Sequence, residues 1–314
     1  MSTSGTNAFN LDVNDIIEEA FERCGKQLRS GYDFRTARRS INLLTIEWAN
    51  RGINLWTMVQ GTIPLVTGQA LYPVPVSTID IMDAVIRQYP GLTLQTDINV
   101  SRISESTYST IPNKLTQGRP IQFWFNRQSG MDNPLPGVTV AGNATLPSDA
   151  TTIPLSVLPA NLPSAGFVKI GSETISYPNV DPATNSLTNC ARGQNGTSAA
   201  SHAVGSAVTQ QNLPCFNVWP TPNPPGDQYT IIYWYLRRIQ DAGTGVTAQD
   251  IPFRWLNCLI AGLAYHLSIK LEGVPAERIM FLKADYEDQF GLASTEDRET
   301  APVRFVPRNL FYYN

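Results

Sequence analysis

Charge is scarce in this chain. Asp, Glu, Lys and Arg together make up 16% of its 314 residues, against roughly 25% in an average soluble domain. A surface with so few ions is expected to bury part of itself against other protein. The net charge of −3 argues against a protein that grips a phosphate backbone over a broad basic face. Only two histidines are present, His202 and His266, far apart in the sequence. The four cysteines, Cys24, Cys190, Cys215 and Cys258, form no C-x-x-C pair and match no zinc spacing. All four read as free thiols, as expected for folding in a reducing cytoplasm. No apolar run reaches the roughly 18 residues of a membrane span. The opening MSTSGTNAFNLDVND lacks the basic-then-apolar order of a secretion signal. No G-x-S-x-G, Walker loop or H-E-x-x-H occurs, so no enzyme, metal or cofactor is expected.

What is present is patterned. Asp12 reads as an N-cap, and Val13, Ile16, Ile17, Ala20, Phe21, Cys24 and Leu28 repeat at helical spacing up to Gly31. A second helix is expected from near Asp33, with Phe34, Ala37, Ile41, Leu44 and Trp48 inward. Gly52 reverses the chain, and Trp48 and Trp56 are expected to fill a joint between helices and sheet. LWTMVQGTIPLV, ALYPVPV, TIDIMDAVIRQ and IQFWFNRQ then read as strands. Near the C-terminus, Phe253, Leu256, Leu259, Ile260, Leu263, Ala264 and Leu267 make the core face of a third helix. A fourth follows Pro275 with Ile279, Leu282, Tyr286 and Phe290 inward.

Between Ser129 and Asn212 the composition changes: six charged residues in 84, with much Ala, Gly, Pro, Ser and Thr. Short strands such as FVKI, TISY and AVTQ suggest a small β domain. The expected fold class is α+β: a helical bundle of two helix pairs with an antiparallel sheet, plus an inserted small all-β domain. Residues 1–128 and 213–314 form the discontinuous core on this reading, 129–212 the insert, and an extended tail begins near 297. The segments 121–128 and 228–239 are expected to be neighbours in one sheet.

Few residues offer chemistry. His266 reads as structural, and His202 has only Cys190 near it in sequence. The carboxylate pairs Glu18-Glu19, Glu287-Asp288 and Glu296-Asp297 read as solvated surface rather than a glycosidase pair. Tyr233, Trp234, Tyr235, Arg237 and Arg238 combine aromatics with cations, as base-stacking surfaces do, but sheet core is favoured. Arg35, Arg38 and Arg39 share one helix face. They suit an acidic partner surface or a nucleic-acid backbone, with a solvated face as the alternative.

The series INLLTIEWANRGINLW, LYPVP, TIDIMDAVIR, ISESTYSTIPNKLTQGRPIQFWFNRQ and FNVWPTPNPPGDQYTIIYWYLRRI, followed by IPFRWLNCLIAGLAYHLSIK and LKADYEDQFGLASTEDRE, resembles the head-to-tail adaptor (connector) proteins of tailed bacteriophages, chiefly short-tailed ones. The likeness covers most of 12–127 and 215–300. GFVKIGSETISYPNV and NSLTNCARGQNGTSAASHAVGSAV are similar to a small β module of phage virion proteins.

The resemblance implies a structural protein at the virion's head-tail junction, assembled in the host cytoplasm. It implies a homo-oligomeric ring, a dodecamer, that binds the portal protein on one side and the tail nozzle or tube on the other. DNA would pass through without specific binding, and no membrane is involved. The proline-broken, aromatic tail then reads as a portal-binding arm carrying Arg304, Phe305, Arg308, Phe311 and Tyr312. Two other readings compete. One is a carbohydrate-binding or adhesin-like module of a phage tail, using Asn189, Arg192, Gln194 and Asn195. The other is a cell-wall hydrolase.

Overall fold

The computed structural model describes residues 11–53, 55–224, 229–243 and 246–297. The fold is α+β, with five α-helices and several antiparallel sheets among the described residues. The chain divides into two compact units: a helical one from residues 1–57 and 239–314, and a β unit from 58–238.

In the helical unit, helix α1 spans Val13–Arg23 and is opened by a reciprocal capping box between Asp12 and Asp15. It ends earlier than the periodicity predicts, because Gly25 turns the chain with φ +72°. Helix α2, Gly31–Asn50, also starts with a capping box, Ser30 with Asp33. Gly31 therefore begins this helix instead of ending the previous one. A five-residue helix α3, Glu105–Ser109, belongs to the β unit. Helices α4 (Leu256–Ser268) and α5 (Ala276–Glu296) complete the helical unit. Helix α4 packs against α1, α2 and α5 and is buried on most of its faces.

The close approach to α4 is set by Gly262. A Cβ there would lie 2.8 Å from Leu44 Cδ2 and 2.9 Å from Tyr286 Cε2, so the glycine buys contact with two helices at once. Trp48 and Trp255 are fully buried, with ring centroids 4.9 Å apart. Trp56 lies 5.5 Å from Trp255 and its Nε1 donates to the Asp250 carbonyl at 3.2 Å. Both indoles expected at a joint with the sheet thus belong to the core of the helical unit itself. One expected core residue is displaced: Phe253 is 79% exposed, and its place inside is taken by Trp255. Pro252 starts a 3-10 turn, Phe253–Trp255, ahead of α4. That turn breaks the helical spacing from which Phe253 was assigned inward.

In the β unit, two four-stranded sheets share one hydrophobic cluster. The first has the order Met58–Pro64, Tyr229–Arg237, Thr78–Gln88, Thr96–Asn99; the second has Leu71–Pro73, Cys215–Trp219, Gln122–Asn126, Ser101–Arg102. Segments 121–128 and 228–239 therefore lie in different sheets, contrary to the sequence expectation. Gln122–Asn126 pairs with Cys215–Trp219, Phe125 opposite Phe216, while Tyr229–Arg237 pairs with Met58–Pro64 and Thr78–Gln88. The segments meet across the cluster instead: Phe216 contacts Phe123 and Tyr233 with centroids 5.1 Å apart in each case. Burial of Tyr233 and Tyr235 in this cluster takes them out of reach of stacking nucleobases.

Residues 132–211 build a five-stranded sheet with Gly166–Ile170 and Glu173–Tyr177 near its middle. A three-stranded sheet accompanies it. These strands enclose a hydrophobic cluster of their own, centred on Ile153, Val168, Ile170, Ile175, Tyr177 and Leu187.

Candidate functional site

The three arginines expected at an interface come together on α2. Arg35, Arg38 and Arg39, with Tyr32, line a concavity closed by residues 241–243. Arg38 Nη1 donates to the Gly243 carbonyl at 3.2 Å, and Arg39 Nη2 reaches Thr36 Oγ1 at 3.4 Å. None of the three has a carboxylate partner among the described residues. Arg35 and Arg39 are exposed. Asp241 also lines the concavity, but no arginine of this face is ion-paired among the described residues.

A second concavity, of about 730 Å³, lies between α1 and α4. Leu11, Phe253, Leu256 and Ile260 give it an apolar floor, and Asp15, Glu18, Glu19 and Glu22 rim it. Asp15 is used in the capping box, and Glu19 pairs with Arg23 at 3.0 Å. Glu18 and Glu22 are exposed and have no ion-pair partner among the described residues.

The buried charges of the chain are organised differently. Glu173 is fully buried, and the side chains of Arg192 and His202 are 7% and 8% exposed. Arg192 grips Glu173 through Nε at 2.9 Å and Nη2 at 2.8 Å. Its remaining N–H groups donate to the carbonyls of Pro147, Ala150 and Ala200. The carboxylate also accepts from the N–H groups of Gly193 and Ala200 and contacts His202 Nε2 at 2.7 Å. Burial pushes the Glu173 carboxyl up, but these hydrogen bonds outweigh it and bring it down to about 2. This network ties the strands Glu173–Tyr177 and Ala191–Gln194 to the loops at 147–150 and 200–202.

It also bears on two residues singled out in the sequence. His202, which has only Cys190 near it in sequence, has Glu173 as its partner in the fold. Arg192, expected to be exposed for sugar contact, has its donors occupied. Asn189, Arg192 and Gln194 do line one cavity, with Gln69 and Gln117, while Asn195 lies on an exposed turn with φ +54°. Sequence reasoning passed over Glu173 altogether. Its signal was present: in a stretch almost without ions, one Glu and one Arg that fall in strands have reason to be each other's partner.

A further polar network closes the C-terminal end of α2. Tyr286 Oη donates to Glu47 Oε1 at 2.9 Å and accepts from Trp48 Nε1 at 3.1 Å. Arg51 binds both oxygens of Glu287 at 3.1 Å and lies over the Phe290 ring, 4.3 Å from its centroid. His266 Nε2 is 3.5 Å from Glu47 Oε2. Burial pulls the His266 imidazole down from its ordinary value, consistent with the structural role expected of it.

All four cysteines are free and buried. Burial pushes their thiols up, Cys24 to about 11 and the others to about 12, so none is an activated nucleophile. No helix among the described residues is long and apolar enough to cross a membrane. The expected arm residues Arg304, Phe305, Arg308, Phe311 and Tyr312 lie outside the described residues.

Comparison with known families bears on these surfaces. The model of the SU10 adaptor protein family matches residues 124–306, more than half of the chain. The chain belongs to the SU10 adaptor protein family. That membership points to a phage structural adaptor, of a family that is generally non-enzymatic and whose members work in contact with other virion proteins. The family span takes in the small sheet, the Cys215–Trp219 and Tyr229–Arg237 strands, α4 and α5. Both uncompensated surfaces of this SU10 adaptor family chain involve α1 or α2, N-terminal to the span. No curated protein matches the chain.

Proposed function

We propose that the chain is the repeating subunit of a ring at the head-tail junction of a phage virion. About a dozen copies close side by side, with the portal protein bound on one side and the tail nozzle or tube on the other. DNA passes through the centre without specific binding. The observation that carries this reading is the family match over residues 124–306.

The surface chemistry supports it. The helical unit displays large apolar side chains in the open, among them Leu43, Ile46, Phe253, Phe281 and Leu292, each more than half exposed. Such side chains are costly to hydrate and suit a subunit whose flanks are covered by neighbours. The net charge of −3 suits passage of DNA, since each neutralised phosphate would add salt-dependent drag. On this reading Arg304, Phe305, Arg308, Phe311 and Tyr312 form the portal-binding arm, and residues 129–212 are an inserted β module. The carbohydrate-binding alternative loses its one charged donor, because Arg192 is committed to Glu173.

Mass photometry of the purified chain, alone and with portal rings from the same virion, tests the proposal. A ring-sized species in the presence of portal is expected. A chain that stays monomeric beside portal at every concentration would refute it.

A further inference from the structure

We infer that neighbouring copies are joined by α2 of one subunit docking in the α1–α4 groove of the next. This deepens the ring reading and rests on it.

The two partners are complementary in charge and in apolar surface. Along α2, Arg35, Arg39, Leu43 and Ile46 follow one another at spacings of three and four, so they form one outward stripe. Leu43 and Ile46 are each 56% exposed. The stripe therefore has a cationic half and an aliphatic half. The groove has the matching halves: an apolar floor that includes the 79% exposed Phe253, and a rim carrying Glu18 and Glu22. The lengths agree as well. From Arg35 to Ile46 is about 16 Å of helix, and α1 itself is about as long.

Neither charged pair has a carboxylate or cationic partner among the described residues. Local ion pairing has thus not used up the charge, as it has at Glu19–Arg23 and Arg51–Glu287. An amphipathic helix laid in a groove is a standard recognition mode, with the apolar anchors supplying affinity and the charges supplying register. The stripe and the groove share no residue. One copy can therefore offer both at once, and a head-to-tail contact of this kind closes into a ring when its rotation permits. A two-fold dimer would instead bury the same patch on both sides.

The test uses the full chain with portal rings, and three charge variants. Arg35→Glu with Arg39→Glu, and separately Glu18→Arg with Glu22→Arg, should each weaken self-association at least about 100-fold, because like charges then face each other across the contact. Combining all four reversals in one chain should restore assembly. The side chains are exposed, so thermal melting of each variant should match wild type and exclude misfolding as the cause.

Double variants that assemble like wild type overturn the contact while leaving the ring reading intact. A wild-type chain that never assembles overturns both. Two other outcomes would show themselves. If truncation after Asp297 abolishes assembly and the reversals do not, copies are held through the C-terminal segment or its grip on the portal, and the α2 contact is refuted. If the arginine variant loses affinity for a DNA duplex with assembly unchanged, the stripe serves phosphate and the contact is refuted.

Discussion

Arg192 in the β unit and Arg35 and Arg39 in the helical unit put the same guanidinium group into opposite surroundings. Arg192 is nearly enclosed, and its donors end on Glu173 or on backbone carbonyls. Arg35 and Arg39 stand in solvent on α2 without a carboxylate. A buried guanidinium must satisfy every donor locally, because desolvation costs several kcal/mol per ion. Once it has done so, nothing is left with which to bind another molecule. An exposed one loses little by waiting for a partner. The contrast separates charge that holds the fold from charge that remains available, and it predicts how each substitution divides between stability and assembly.

The largest effect should come from breaking the enclosed pair on one side. Arg192→Met leaves Glu173 buried without its counter-ion, and about 3–5 kcal/mol of stability should be lost. Urea unfolding monitored by fluorescence reads it directly. A loss below about 1 kcal/mol would mean that the pair behaves like a surface bridge and that the contrast is misdrawn.

Acid sharpens the same point. The folded carboxyl of Glu173 sits at about 2, below its ordinary value of 4.5. A depressed value means that the folded state favours the ionised form. The contribution is therefore full above about pH 4.5 and is lost as pH falls through 2, an effect of about 3 kcal/mol in total. The penalty of Glu173→Gln should accordingly shrink between pH 7 and about pH 2.5. If it is the same at both, the carboxylate's charge is not what the network holds.

A smaller loss is expected in the helical unit, whose stability rests on close packing. Gly262→Ala improves intrinsic helix propensity by about 1 kcal/mol yet forces Cβ against Leu44 and Tyr286. Overpacking costs about 1–3 kcal/mol, so a net loss of about 1 kcal/mol or slightly more is expected by urea titration. A net gain would show that the three helices have room to separate.

Much of this architecture can be read from the sequence because it is local. The strand Thr78–Gln88 has the bounds that its apolar spacing predicts, and Asp12 caps α1 as expected. Ala37, Ile41, Leu44 and Trp48 point inward as their spacing requires. Non-local pairing is where the reading fails. Nothing in the alternation of IQFWFNRQ tells whether it pairs with 215–219 or with 229–237, since both are apolar strands and both lie near it in the fold. Phe253 fails for a different reason: it lies in the 3-10 turn Phe253–Trp255 ahead of α4, where the 3.6-residue spacing does not apply. The arginine stripe was visible because it lies on one helix, whereas its complementary groove joins α1 to α4 and needs the fold.

The smallest expected effect is also the one that isolates the available charge. Arg35 and Arg39 touch no carboxylate, so removing their charge breaks no ion pair. Reversing them to Glu should change unfolding free energy by no more than about 0.5 kcal/mol, against several for Arg192. Position 35 lies just past the first turn of α2 and position 39 a turn further on, so the helix dipole contributes little at either. A stability loss above about 1 kcal/mol would show that these arginines already have work within the subunit. In that case they could not be reserved for a neighbour, and the division between committed and available charge would fail where it matters for assembly.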